Sequence, residues 1–262
     1  MERKYKILFK YPSRSRRGRF LDGLDSILNN IHDQDNFQIL VTADFDDTDM
    51  RDLPKYVTDH PKIRVQYGTS ESKIHAVNRD MEFADSDWDI VVVVSDDILF
   101  QFGGFDEVIR GDYGRYGLDT LLHYPDNDAK DMLAVLYIAG RTFYDRFGFI
   151  YDPRFKSLWC DNLIMEQAQK LGKYQYVNMP GMFVHLNPAY GHLERDELFN
   201  TQQAFWDEDY KMYCSIRDNG YELEKIKQSA ENASSDNFTT NLGVLAVMNR
   251  IQFDNMFNSF NK

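Results

Sequence analysis

The chain has 262 residues, of which 43% are hydrophobic and 15% aromatic, enough to bury a core and to exclude a disordered or fibrous protein. Its formal net charge of -12, from 42 acidic and 30 basic residues, argues against a surface built to bind a polyanion by counterion release. The two cysteines, Cys160 and Cys214, make neither a disulfide framework nor a paired zinc-binding spacing, so a reducing cytoplasm is the expected location. The N-terminal stretch has charge but no apolar targeting segment, because Ile7-Leu8-Phe9 is followed at once by Lys10 and then by arginines. No run approaches the length of a membrane span, the best being Ile90 to Val94, so no stable membrane insertion is expected. Two Asn-x-Ser/Thr sequons, at Asn232 and Asn237, then count as chance matches.

Tyr5 to Tyr11 reads as a first strand, stopped by Pro12 because proline gives the ladder no N–H. A polar loop, Ser13-Arg14-Ser15-Arg16-Arg17, leads into an amphipathic helix marked by Phe20, Leu24, Ile27, Leu28 and Ile31. Strand, polar loop and helix together open a nucleotide-binding half. Cations at a helix N-terminus oppose the macrodipole, so this arginine cluster needs an explanation, and contact with a diphosphate supplies one. Phe37 to Val41 is a second strand, followed by the acidic loop Thr42 to Asp49. A third strand, near Ile63 to Tyr67, passes through Gly68-Thr69-Ser70 into a helix over Lys73 to Phe83. Three such repeats with short loops predict right-handed crossovers and a parallel sheet.

The fourth strand is the centre of the chain. Ile90 to Val94, bounded by polar residues and rich in β-branched side chains, predicts a strand buried on both faces. Asp96 and Asp97 follow it, where open α/β sheets place their ligands. Adjacent carboxylates near a low-dielectric core need a cation or hydrogen-bond donors, and a divalent metal is the economical choice. The structural alternative is a solvated Asp-Asp turn. Downstream, Gly103 to Ile109 predicts a short helix, Leu118 to Tyr124 and Leu133 to Ala139 strands, and Arg141 to Phe147 a helix ended by Gly148. Trp159 to Leu171 predicts a helix with Asp161 in its first turn or at its N-cap. Tyr174 to Val177 and Met182 to Val184 are short strands, with His185 after the second. From about Phe199 the chain is helical, with Trp206, Tyr210 and Tyr213 at i, i+4 and i+7, and a last helix marked by Leu242, Leu245, Met248 and Ile251. These stripes are expected to be packing surfaces.

This order of features resembles a glycosyltransferase of the A-type fold, similar to the family 2 enzymes that use nucleotide-sugar donors. The resemblance covers roughly residues 5 to 190. It is carried by Lys6 to Arg14, Asp44, the run Gly68 to Asn78, the DxD-like Ser95-Asp96-Asp97, Trp159-Cys160-Asp161 and His185. It implies an α/β protein, a three-layer α/β/α sandwich with a mostly parallel mixed central sheet and a helical C-terminal extension. The catalytic domain would span 1–198, with 1–100 the nucleotide-sugar half and 101–198 the acceptor half, and 199–262 the extension.

The resemblance also implies roles. Asp96 would bond the ribose, and Asp97 with His185 would hold Mn2+ or Mg2+, hard cations that favour oxygen ligands and keep phosphates in their shell. Such a metal neutralises charge on the departing diphosphate. Pro12, Ser13, Arg14, Asp44 and Lys73 would meet the base, ribose or phosphates of a donor, UDP being the commonest nucleotide among relatives. Asp161 would be the general base that deprotonates the acceptor hydroxyl, giving inversion in one displacement. Each role has a structural alternative: Lys73 as a solvated first-turn lysine, Asp161 as an N-cap, His185 as a satisfied structural histidine. Inverting members have an acidic pair where this chain has Cys160-Asp161. The acceptor could be a glycan, a small molecule or a modified DNA base, the last served by local positive ground at Arg14 to Arg19 and Arg141 to Arg154.

Two other classes compete. Asp44-Phe-Asp46-Asp-Thr48 fits the DxDxT pattern of haloacid-dehalogenase-like phosphatases, but it follows the second strand rather than a central first one. A non-catalytic carbohydrate- or nucleotide-binding module is the other alternative, since fold does not settle function. A sugar nucleotidyltransferase fits less well, because the first loop lacks glycines to wrap a triphosphate.

Overall fold

Ile7, Leu8, Phe9, Lys10 and Tyr11 are all fully buried in a computed structural model that describes residues 4–227, because the strand they form, β1 (Ile7–Pro12), lies inside the sheet. The period-two alternation of a strand sends Ile7, Phe9 and Tyr11 to one face and Leu8 to the other. The first face packs on α1 (Arg17–Asn30) through Phe20, Leu24 and Ile27, and on α4 (Phe105–Tyr116) through Phe105, Ile109 and Tyr113. The second packs on α3 (Lys73–Asn78), α5 (Arg141–Phe147), α6 (Cys160–Lys170) and α8 (Trp206–Asp218). The result is the expected three-layer α/β/α sandwich.

The central sheet runs β3 (Ile63–Gly68), β2 (Phe37–Asp44), β1, β4 (Ile90–Val93), β7 (Ile138–Gly140), β6 (Leu121–His123), β8 (Tyr174–Tyr176). Strands β1 to β4 are parallel, β7 is antiparallel to both its neighbours, and β6 with β8 is parallel again, so the sheet is mixed and mostly parallel. The valine run occupies its middle. A second sheet of two strands, β5 (Ile98–Phe100) and β9 (Phe183–His185), pairs Ile98 opposite His185. Strand β9 is the short strand expected at Met182 to Val184, displaced by one residue, whereas the three-residue β5 was not expected.

Several boundaries differ from expectation. Helix α3 stops at Asn78 instead of reaching Phe83, because Lys10 Nζ takes the Arg79 carbonyl (2.6 Å) and Asp80 turns left-handed (φ 72°) to receive the Thr42 hydroxyl (2.8 Å). A buried lysine needs partners, and supplying them ends the helix. Met81 to Phe83 then form only a 3₁₀ turn. Strand β7 is confined to three residues ending at Gly140, where a Cβ would stand 2.2 Å from the Leu118 carbonyl oxygen. The helix after Gly103 is longer than expected, running to Tyr116.

The chain divides into two compact units, Met1–Glu222 and Leu223–Lys262, and every element named here belongs to the first. That unit includes α7 (Glu197–Gln203) and α8. The helix read at Leu242 to Ile251 and the two sequons lie outside the described residues.

Candidate active site

Strand β4 delivers Asp96 and Asp97 to the C-terminal edge of the sheet, and the second small sheet brings His185 to meet them. The Leu186 amide donates to the Asp97 carbonyl (2.7 Å), which locks the two segments in register. His185 Nε2 stands 3.4 Å from Asp97 Oδ2, and Nδ1 lies 3.2 Å from Oδ2 of Asp126, whose side chain is fully buried. Asn127 clamps the backbone of His185 from both sides, accepting from its N–H (2.7 Å) and donating to its carbonyl (3.1 Å). Burial alone would lower the imidazole pKa, but the two carboxylates outweigh it and raise it to about 9. Burial likewise opposes ionisation of Asp97, yet His185 and the donated Ser95 hydroxyl hold it well below the usual carboxylate range.

Asp96 has a different environment. Arg16 Nη1 approaches its Oδ1 at 3.0 Å, while the same guanidinium forks onto Asp196 at 2.6 and 2.7 Å. Burial dominates, and the Asp96 pKa rises to about 6 against the pull of Arg16. Lys73, exposed at the start of α3, makes no hydrogen bond or ion pair among the described residues, but its charge acts on Asp96, Asp97 and Asp161.

The nucleotide loop at the end of β1 is tied to the acidic loop after β2. Arg14 pairs with Asp44 (2.6 Å) and forks onto Asp46 (2.7 and 2.8 Å). Asp47 accepts from the Ser15 amide (2.7 Å) and Asp49 from that of Arg17 (2.8 Å), so borrowed carboxylates satisfy the amides entering α1, whose N-cap residue Arg16 makes no capping hydrogen bond with its side chain. The protein's own acids thus pair with Arg14, Arg16 and Arg19 of the cluster. Pro12 pairs with Thr42 in register, Ser13 is buried against Met50, and Arg79 reaches the second oxygen of Asp44 (3.4 Å). Phe45, beside Asp44, is left 60% exposed. The DxDxT-like pattern therefore clamps a loop, and strand β1 separates Asp44 from Asp96 and Asp97.

Asp161 sits in the first turn of α6, where its carboxylate accepts the Asn162 amide (2.9 Å). The N-cap position belongs to Trp159, held left-handed at φ 63°. Burial raises the Asp161 pKa, with Asn162 and Lys73 pulling the other way, so the group is a stronger base than a solvated carboxylate. Cys160 is buried, and burial pushes its thiol far up, so it supplies no second acid. Asp209 of α8 fixes this helix start: 1% exposed, it accepts the amides of Lys156 (2.8 Å), Ser157 (2.8 Å) and Leu158 (2.7 Å).

Among the described residues no group of three or more His, Cys, Asp or Glu side chains forms a closed metal site. The donor set at Asp97 nevertheless fits a substrate-completed one. Two donors 3.4 Å apart are spaced as neighbours around one cation bound at about 2.1 Å. Asp126 holds the far nitrogen of His185, as outer carboxylates hold metal-binding imidazoles. Beside Asp126 opens a cavity of about 340 Å³ lined by Asn127, Lys130, Tyr176, Asn178 and Phe183.

Sequence reasoning named Asp96, Asp97, Lys73, Asp161 and His185, which the fold brings within electrostatic reach of one another. It missed Arg16, Asp126, Asp196 and Asp209. Asp126 and Asp209 show no sequence signal, as single acids in irregular or helical stretches, whereas Arg16 lay within a cluster already singled out.

No protein-family model matches the chain, and no curated protein matches its sequence. Solved structures do. TarS 1–349 of S. aureus superposes with TM-score 0.57 at 11% identity, over 69% of this chain and 60% of TarS 1–349. The mannosyltransferase PcManGT of Pyrobaculum calidifontis, in complex with GDP-Man and Mn2+, gives TM-score 0.56 at 13% identity over 99% of this chain and 84% of its own. The catalytic domain of Drosophila β1,4-galactosyltransferase 7, in complex with xylobiose, gives 0.50 at 14% identity over 74% and 75%. The chain has the A-type glycosyltransferase fold. Among the described residues no helix is long and apolar enough to cross a membrane.

Proposed function

We propose that this protein is an inverting glycosyltransferase, moving a sugar from a UDP-sugar to an acceptor hydroxyl. The observation that carries the reading is the convergence of Asp96, Asp97, His185, Lys73 and Asp161 at the C-terminal edge of the sheet. Asp97 and His185 would hold Mn2+ or Mg2+, which neutralises charge on the departing diphosphate when bound. Asp96 bonds the ribose, Asp44 the base, and Ser13, Arg14 and Lys73 the base, ribose or phosphates, beside Pro12. Asp161 takes the proton from the acceptor hydroxyl as its oxygen bonds the anomeric carbon and the bond to the diphosphate breaks. The raised basicity of Asp161 supports that role.

TarS structures containing UDP and UDP-GlcNAc support a uridine donor, and PcManGT supports a divalent metal. The acceptor is a glycan or a small molecule. A modified DNA base is disfavoured, because Arg14, Arg16, Arg141, Arg146 and Arg154 are all paired with the protein's own carboxylates. Unpaired thiols at Cys160 and Cys214 accord with a reducing cytoplasm.

Isothermal titration with UDP, with and without Mn2+, tests the reading. Metal-dependent binding that disappears in Asp97→Ala is the expected result. No binding of UDP, GDP or their sugars would sink it and leave the binding-module and phosphatase readings to be tested.

A further inference from the structure

Trp206 opens α8 with 47% of its surface exposed, and Tyr210, one turn later on the same helix face, is 41% exposed. Both rings lean on Trp159, at centroid separations of 5.1 and 4.7 Å, and Tyr213 backs Trp159 from beneath at 5.4 Å. Water-facing aromatic rings fixed in place by other rings form a rigid apolar surface, which a merely solvated helix face does not need. Its position is informative. Trp159 precedes Asp161 by two residues and stands at the N-cap of the helix that carries it. The segment leading to α8 begins at Asp196, which is bonded to Arg16 beside Asp96. Asp209, between the two exposed rings in sequence, ties the loop before Trp159 to α8. One continuous stretch thus runs from the donor-side carboxylates to the start of the helix that carries the candidate base, with the exposed rings packed on Trp159, two residues before Asp161.

We propose that Trp206, Tyr210 and Trp159 form the platform on which the acceptor sits, and that the acceptor is a saccharide. This rests on the transferase reading above. A pyranose ring presents an apolar C–H face and a rim of hydroxyls. The face packs on the aromatic rings and the rim stays polar, so one hydroxyl is left to turn toward Asp161. An acceptor without such a face, such as a linear polyol phosphate, gains nothing from the platform.

The test uses the full chain with UDP and Mn2+ present. Tryptophan emission is followed while methyl glycosides of glucose, galactose, mannose, xylose and N-acetylglucosamine, then cellobiose and xylobiose, are titrated in. At least one saccharide is expected to shift the emission, and to act as acceptor when a UDP-sugar replaces UDP in a transfer assay. Trp206→Ala and Tyr210→Ala should each raise its KM by tenfold or more without changing UDP affinity, and Trp206→Phe, which keeps a ring, should restore most of the loss. A flat titration across the panel while UDP binds overturns the proposal, as does an unchanged KM in both alanine variants. Concentration-dependent self-association that Trp206→Ala abolishes would also overturn it, by making the face a contact between copies. If UDP itself fails to bind the wild-type chain, the transferase reading falls first and takes this proposal with it.

Discussion

At the ends of β1 and β2, each arginine is shared between two acids: Arg14 with Asp44 and Asp46, Arg16 with Asp96 and Asp196, Arg79 with Asp44 and Asp80. At the head of α6 the opposite holds. Asp161 accepts the Asn162 amide and feels the charges of Lys73 and His185, with no ion pair of its own among the described residues. The first region is a polar frame that keeps its shape through paired charges, suited to fixing a charged, invariant group. The second is rigid but chemically open, with Asp209 holding its backbone from behind. The difference separates the part that positions from the part that reacts.

Removing the reacting groups should have the largest effect. Asp97→Ala is expected to lower initial turnover of nucleotide sugar by about 10³-fold, and Asp161→Asn by about 10²-fold or more, the second with UDP affinity unchanged by calorimetry. Equal loss of nucleotide affinity in Asp161→Asn would erase the distinction between the two regions. Next, Asp209→Asn replaces a carboxylate holding three amides with a weaker acceptor, and should cost about 1–3 kcal/mol in chemical denaturation together with kcat. A fall in stability with kcat unmoved would make the contact structural only. Asp196→Ala removes both a partner of Arg16 and the N-cap of α7, where it accepts the Phe199 amide at 2.8 Å. It should cost about 1 kcal/mol and leave the rate with a simple acceptor nearly intact.

A pH-dependent effect belongs to the buried base of the polar frame. Burial lowers the Lys10 pKa from 10.5 to about 7 despite the charge of Asp80. Between those values the unfolded chain binds the extra proton, so stability rises with pH above about 7 and levels off below it. Relative to Lys10→Met, the wild type should gain up to about 1.4 kcal/mol per pH unit between 7.5 and 9, read from paired melts. A flat difference would place a charged lysine in the core.

Local pattern determined much of this protein by itself. The valine run with its terminal acids, the strand-helix repeats before it, and the head of the helix at Asp161 were all visible because periodicity and turn residues act over a few neighbours. Only tertiary structure decided which distant residues meet. His185 reaches Asp97 through a three-residue strand pair too short to carry a pattern. Asp126 reaches His185 from an irregular loop, and Asp209 reaches the Asp161 helix from 48 residues further along the chain. The arginine cluster marks the limit most clearly. Its charge was legible, but whether it faced a ligand or the protein's own Asp44, Asp46 and Asp196 depended on long-range packing, where buried charges must be matched wherever the fold sets them.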